Sequence, residues 1–178
     1  SVVSDSGGDR DLHAAYRRQR QLGIRDRGTA ASGVVFGRDG TLFMTVGGAF
    51  GASAGGRRAQ DPANTIGKLV RLDDDGGIPD DNPFVGRPGY KPEIYTLGHR
   101  NPVGLAVHPQ TGEIWEHENG PADGDGVNIL KPGANYGWPL VGMGRGYAGD
   151  FIGSTGTIGE ALGRRDASTM YMEGMEQP

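Results

Sequence analysis

Two stretches of this chain follow one plan, and that plan leaves few folds open. Val34-Val35-Phe36 runs into Gly37-Arg38-Asp39-Gly40 and out through Thr41-Leu42-Phe43-Met44-Thr45-Val46-Gly47. β-Branched and aromatic residues flank an Asp-Gly pair, and Gly40 supplies the positive φ that a tight hairpin turn needs. The plan returns at Gly104–Val107 and Gly112–Glu116, around His108-Pro109-Gln110-Thr111. Ile66–Leu72, Glu93–Leu97 and Val127–Leu130 read as further strands. Asp73-Asp74-Asp75-Gly76-Gly77 reads as a turn: its acidic run lacks the alternating ligands and distal Glu of an EF-hand loop.

Between these strands the chain is punctuated. Gly48–Gly56 is small and polar and predicts a loop. Residues 78–92 hold four prolines and predict an irregular crossover. Gly and Pro number 34 and 11 of 178 residues, a share at which disorder has to be weighed. They fall between short apolar runs at intervals, which suits many short strands joined by tight turns. The reading is an all-β fold: a coarse repeat of small antiparallel sheets, as in a β-propeller or similar radial array. At about 40–50 residues per blade the length supplies roughly three blades. Three blades do not close a ring, so open sheet edges predict self-association. Residues 1–33 form an irregular N-terminal segment, with Asp11–Leu22 a connector. Residues 34–178 form one incomplete propeller domain.

Composition removes several functions. A net charge of -4 without a broad basic surface argues against nucleic-acid binding. The absence of cysteine excludes thiolate zinc sites and a Cys nucleophile. No apolar run approaches the ~18 residues of a spanning helix. Ser1–Gly8 lacks the charged and apolar regions of a signal peptide, as a mature exported chain also would.

The chemistry concentrates between Gly98 and Pro139. Gly98-His99-Arg100-Asn101-Pro102 offers a guanidinium suited to bidentate binding of a carboxylate. Trp115-Glu116-His117-Glu118-Asn119-Gly120-Pro121 ends a strand and turns sharply. The Gly120 and Pro121 carbonyls suit a hard cation such as Ca²⁺, with Asp123 and Asp125 following. His117-Glu118 lacks the second His of a zinc helix motif. Asn135-Tyr136-Gly137-Trp138-Pro139 predicts a buried aromatic corner, and on a sharper reading a wall beside a polar site. Each of these also reads as ordinary turn or core chemistry.

Taken together, IGKLVRLDDDG, IPDDNPFVG, PEIYTLGHRNPVGLA, WEHENGPADGDGVNIL and GANYGWP resemble the soluble pyrroloquinoline quinone (PQQ)-dependent sugar dehydrogenases of the glucose/sorbosone dehydrogenase family. The likeness is strongest over Val34–Pro139 and touches EGMEQP at the end. It implies part of a six-bladed β-propeller, periplasmic or secreted, that oxidises aldoses to lactones with PQQ and Ca²⁺. By that resemblance Arg100, Asn101, Asn119 and Asp125 are cofactor contacts. Gly120 and Pro121 are carbonyl ligands of the Ca²⁺ that holds PQQ, and Tyr136 is a backbone ligand of a second Ca²⁺.

The departures are specific. The family's catalytic His falls on Thr29 or Ala30, neither of which takes a proton near neutral pH. A Ca²⁺-liganding Glu has become Gly126, and the family Gln after Asn-Pro is Val103. Three readings therefore stand: a sugar dehydrogenase or part of one, a non-catalytic relative binding Ca²⁺, PQQ or a partner, and a Ca²⁺-dependent lactonase.

Overall fold

The computed structural model describes residues 33–49, 54–122, 124–142 and 145. Among them the chain forms two antiparallel meanders. The first sheet has the order β1 (Val34–Phe36), β2 (Leu42–Val46), β3 (Lys68–Leu72), β4 (Ile94–Leu97). The second has the order β5 (Pro102–Val107), β6 (Ile114–Glu118), β7 (Gly126–Ile129). One helical turn, α1 (Ala54–Arg57), and a 3₁₀ turn, Arg58–Gln60, replace the end of the expected Gly48–Gly56 loop. Asp11–Leu22, Thr29 and Ala30 lie outside the described residues.

The Asp-Gly turn forms as expected. Gly40 takes φ 82°, and the Asp39 carboxylate accepts the Thr41 N–H at 3.0 Å and the Thr41 hydroxyl at 2.8 Å. The turn sets the register Val34↔Met44, Val35↔Phe43, Phe36↔Leu42. β2 and β3 are buried along their whole length. Strands covered on both faces read as near-continuous apolar runs, as Leu42-Phe43-Met44-Thr45-Val46 does.

Phe43 of β2 and Leu69 of β3 face the second sheet. They pack with Ile114 of β6 and with Leu130 and Tyr136, backed by Leu105 and Val107 of β5. The opposite face carries Met44, Val46 and Val70. Two twisted meanders stacked face to face are successive blades, and the fold is all-β and part of a β-propeller.

The proline-rich crossover is anchored by a buried arginine. Arg71 donates to Thr41 Oγ1 at 3.0 Å, Asp39 at 2.8 Å and Asp81 at 2.8 Å. Asn82 reaches back to the carbonyls of Arg71 and Pro92. Lys68, wholly buried, donates to the carbonyls of Arg58, Ala59 and Ile66 at 2.8–2.9 Å. Burial pulls its pKa down to about 7, against the attraction of Asp61. Residues 133–138 return along the end of β4. Leu97 bridges Asn135 in parallel, the Tyr136 N–H donates to Leu97 O, and the Trp138 N–H donates to Gly98 O.

Candidate functional site

The site is built where β4 crosses into the second sheet. Gly98 turns the chain with φ 83°, against the backbone of Tyr136 and Gly137. His99 and Arg100, as consecutive residues, send their side chains to different neighbours. The Arg100 peptide N–H donates to Glu118 Oε2 at 2.7 Å, and its carbonyl accepts from Ala49 at 3.0 Å. Its guanidinium carbon lies 5.6 Å from the centre of the Trp138 ring. Trp138 is itself fixed by donating from Nε1 to the Ala49 carbonyl at 2.6 Å.

Arg100 Nη1 donates to the carbonyls of Asn119 at 2.8 Å and of Gly120. The Asn119 N–H donates in turn to the Asn101 carbonyl at 3.1 Å. Asp125, just before β7, accepts the Gly120 N–H on Oδ1 at 2.7 Å. Arg100, Asn101, Asn119, Gly120 and Asp125 thus share one cluster, and Pro121 follows directly in the same turn. The Gly120 carbonyl faces the Arg100 guanidinium. The turn is half-exposed, with Asn119 and Asp125 open to solvent.

Tyr136 belongs to the core behind this cluster. Its hydroxyl donates to the Ile129 carbonyl at 2.7 Å and accepts the Lys131 N–H at 3.1 Å. Burial pushes its pKa up to about 12. Its ring stacks on His99, with centroids 4.7 Å apart.

Sequence reasoning missed what lies between. His99 is fully buried, and its Nε2 sits 2.8 Å from Thr96 Oγ1. Its Nδ1 faces Glu116 Oε2 and Glu118 Oε1, each at 3.7 Å. The Asn128 amide donates to Glu116 Oε2 at 2.7 Å and Glu118 Oε1 at 3.2 Å. Burial, and then the charge of Glu118, push the Glu116 carboxyl up to about 9 against the Asn128 hydrogen bond. Burial also raises Glu118, but His99, the Arg100 N–H and Asn128 outweigh it and hold that carboxyl below its ordinary value. The available signal was two glutamates at i and i+2 on one strand face, with Asn128 opposite Glu116.

Stacked antiparallel blades of this kind define a β-propeller, and comparison with known proteins places the chain in one propeller family. The family profile Glucose / Sorbosone dehydrogenase matches residues 9–176, and the chain belongs to that family. It is 46% identical over 116 residues to aldose sugar dehydrogenase YliI of Escherichia coli (strain K12), covering 65% of this chain and 30% of that protein. The apo-form crystal structure of the soluble aldose sugar dehydrogenase of Escherichia coli superposes with TM-score 0.62 at 44% identity, over 67% of this chain and 33% of that one. The PQQ-bound aldose sugar dehydrogenase of Streptomyces coelicolor superposes with TM-score 0.52 at 31% identity, over 71% and 35% of the two chains. The matched region is therefore about a third of the length of these relatives.

Proposed function

We propose that this chain carries one part of the cofactor seat of a PQQ- and Ca²⁺-dependent aldose sugar dehydrogenase. The observation that supports the reading is the Arg100 cluster. One buried guanidinium stands against two peptide carbonyls, with the Asp125 carboxylate one hydrogen bond away.

The donor set fits both groups. A quinone bearing carboxylates is recognised by a guanidinium and a neighbouring amide, here Arg100 and Asn101, with Asn119 on the exposed side. A hard cation takes carbonyl and carboxylate oxygens, here Gly120, Pro121 and Asp125. Tyr136 is the expected backbone ligand of a second Ca²⁺. Bound there, PQQ would supply the two-electron acceptor for oxidising an aldose to its lactone, and Ca²⁺ would hold its carboxylates. Arg100 would orient that anion, and Trp138 beneath it would keep water from the back of the guanidinium. An exported location and an aldose substrate belong to the same reading.

A second reading is binding without turnover. It is favoured by Thr29 and Ala30 at the expected position of the base, since neither accepts a sugar proton near neutral pH. Reconstitution with PQQ and Ca²⁺, followed by an aldose and a dye acceptor, separates the two. Dye reduction supports the dehydrogenase; quinone binding without reduction supports the binder. Failure to bind PQQ at all ends the dehydrogenase reading and leaves the binder only Ca²⁺ or a partner. Lactone hydrolysis with Ca²⁺ alone would instead mark a lactonase. Self-association through open sheet edges is part of this reading, and a monomer in sedimentation would remove it.

A further inference from the structure

We propose that His99, Glu116 and Glu118 form a binding site for one zinc-class divalent cation, separate from the Arg100–Gly120 cluster and independent of its quinone reading. The three side chains each offer a ligand atom, all within 4.8 Å of one another, and are buried or nearly so. An imidazole nitrogen with two carboxylates is a donor set for borderline first-row ions such as Zn²⁺, whereas Ca²⁺ takes six or more oxygens.

The spacing fits an ion better than it fits hydrogen bonds. Nδ1 lies 3.7 Å from each facing carboxylate oxygen, beyond hydrogen-bond range. Ligands ~2.0–2.2 Å from a tetrahedral zinc stand roughly 3.3–3.6 Å apart, close to the two 3.7 Å separations here. His99 Nδ1 and Glu116 Oε1 are buried without a hydrogen-bond partner among the described residues. Buried polar atoms of that kind call for a missing partner.

The supporting shell is also present. Metal-bound imidazoles are fixed through the second ring nitrogen, and bound carboxylates through their own hydrogen bonds. Thr96 Oγ1 takes the first role at 2.8 Å from Nε2. The Asn128 amide takes the second, donating to an oxygen of each glutamate. Two carboxylates this close in a buried place repel when both are ionised, and a divalent ion between them would offset that repulsion. The ion would tie the residue 98–101 loop to β6, and enter as the sheet closes.

The test is metal content. The full chain, expressed with zinc and dialysed against millimolar Ca²⁺, should retain about one zinc per chain by inductively coupled plasma mass spectrometry. Glu116→Gln and His99→Gln should lower that to below about a tenth. Wild-type protein with so little zinc overturns the proposal and leaves a proton as what the carboxylates share. A folded variant that keeps its ion overturns it equally. If both variants fail to fold, the Co²⁺-loaded wild-type protein decides. Intense visible bands of four- or five-coordinate cobalt are expected, and the weak spectrum of six-coordinate cobalt would sink the idea.

Discussion

Arg100, just before β5, donates from a single guanidinium nitrogen to the carbonyl oxygens of both Asn119 and Gly120, just after β6. The cation of one loop thus orders the peptide oxygens of the next. Lys in its place supplies a charge but no planar fork. Arg100→Lys should weaken PQQ binding in the presence of Ca²⁺ by about tenfold. A fluorescence titration giving equal affinities would remove Arg100 from the seat.

Asp125 and Gly126 bear on the calcium half. Asp125→Asn keeps an acceptor for the Gly120 N–H but loses the charge, and Ca²⁺ affinity should fall several-fold. A Cβ at Gly126 meets nothing within 4 Å. Gly126→Glu should therefore be tolerated and raise Ca²⁺ affinity by about 3–10-fold. Isothermal titration of the two variants in parallel is the check, and opposite signs are expected.

The Asp39–Arg71 pair predicts part of the acid response. Burial raises the Asp39 carboxyl, but hydrogen bonds from Thr41 and Arg71 and the Arg71 charge lower it by more, leaving it below its ordinary value. A carboxyl lowered in the folded state contributes stability above its unfolded value, about 3.9, and loses it as pH falls through the folded value. Asp39→Asn should flatten the fall in melting temperature below about pH 4. An unchanged acid limb would show that Asp39 carries none of it.

Gly98 should not tolerate a side chain. Its φ is 83°, and a Cβ would lie 2.6 Å from Gly137 N and collide with Asn135 Oδ1. Gly98→Ala should cost about 3 kcal/mol or more in urea unfolding, from backbone strain together with displacement of the 135–138 segment.

The buried Lys68 amine donates to three peptide oxygens. Lys68→Met leaves the Ile66 carbonyl without its side-chain donor, and weakens the hold on those of Arg58 and Ala59. The expected loss is about 2–4 kcal/mol in chemical denaturation, since buried unsatisfied acceptors are costly.

The strands were legible because their signals are local. Asp39-Gly40 fixed the first hairpin, and the runs read as strands contain or overlap β3 through β7 to within a few residues. The Arg100 neighbourhood was legible through motif order. The buried cluster was not, since alternation assigns polar residues of a strand to solvent, while Glu116 is 1% exposed. His99, brought from another loop by the Gly98 turn, faces it at 3.7 Å, and no local pattern announces that pairing. Likewise, nothing in Gly120-Pro121 shows that the Gly120 oxygen would turn toward a guanidinium.

The Glu118 carboxylate serves two masters with one rigid plane. Oε2 takes the Arg100 peptide N–H, and Oε1 takes the Asn128 amide and faces His99. Twisting that plane to suit one side displaces the other oxygen by a similar amount. The carboxylate therefore acts as a lever: a disturbance at Asn128 or His99 arrives at the loop as a shift in where residue 100 stands.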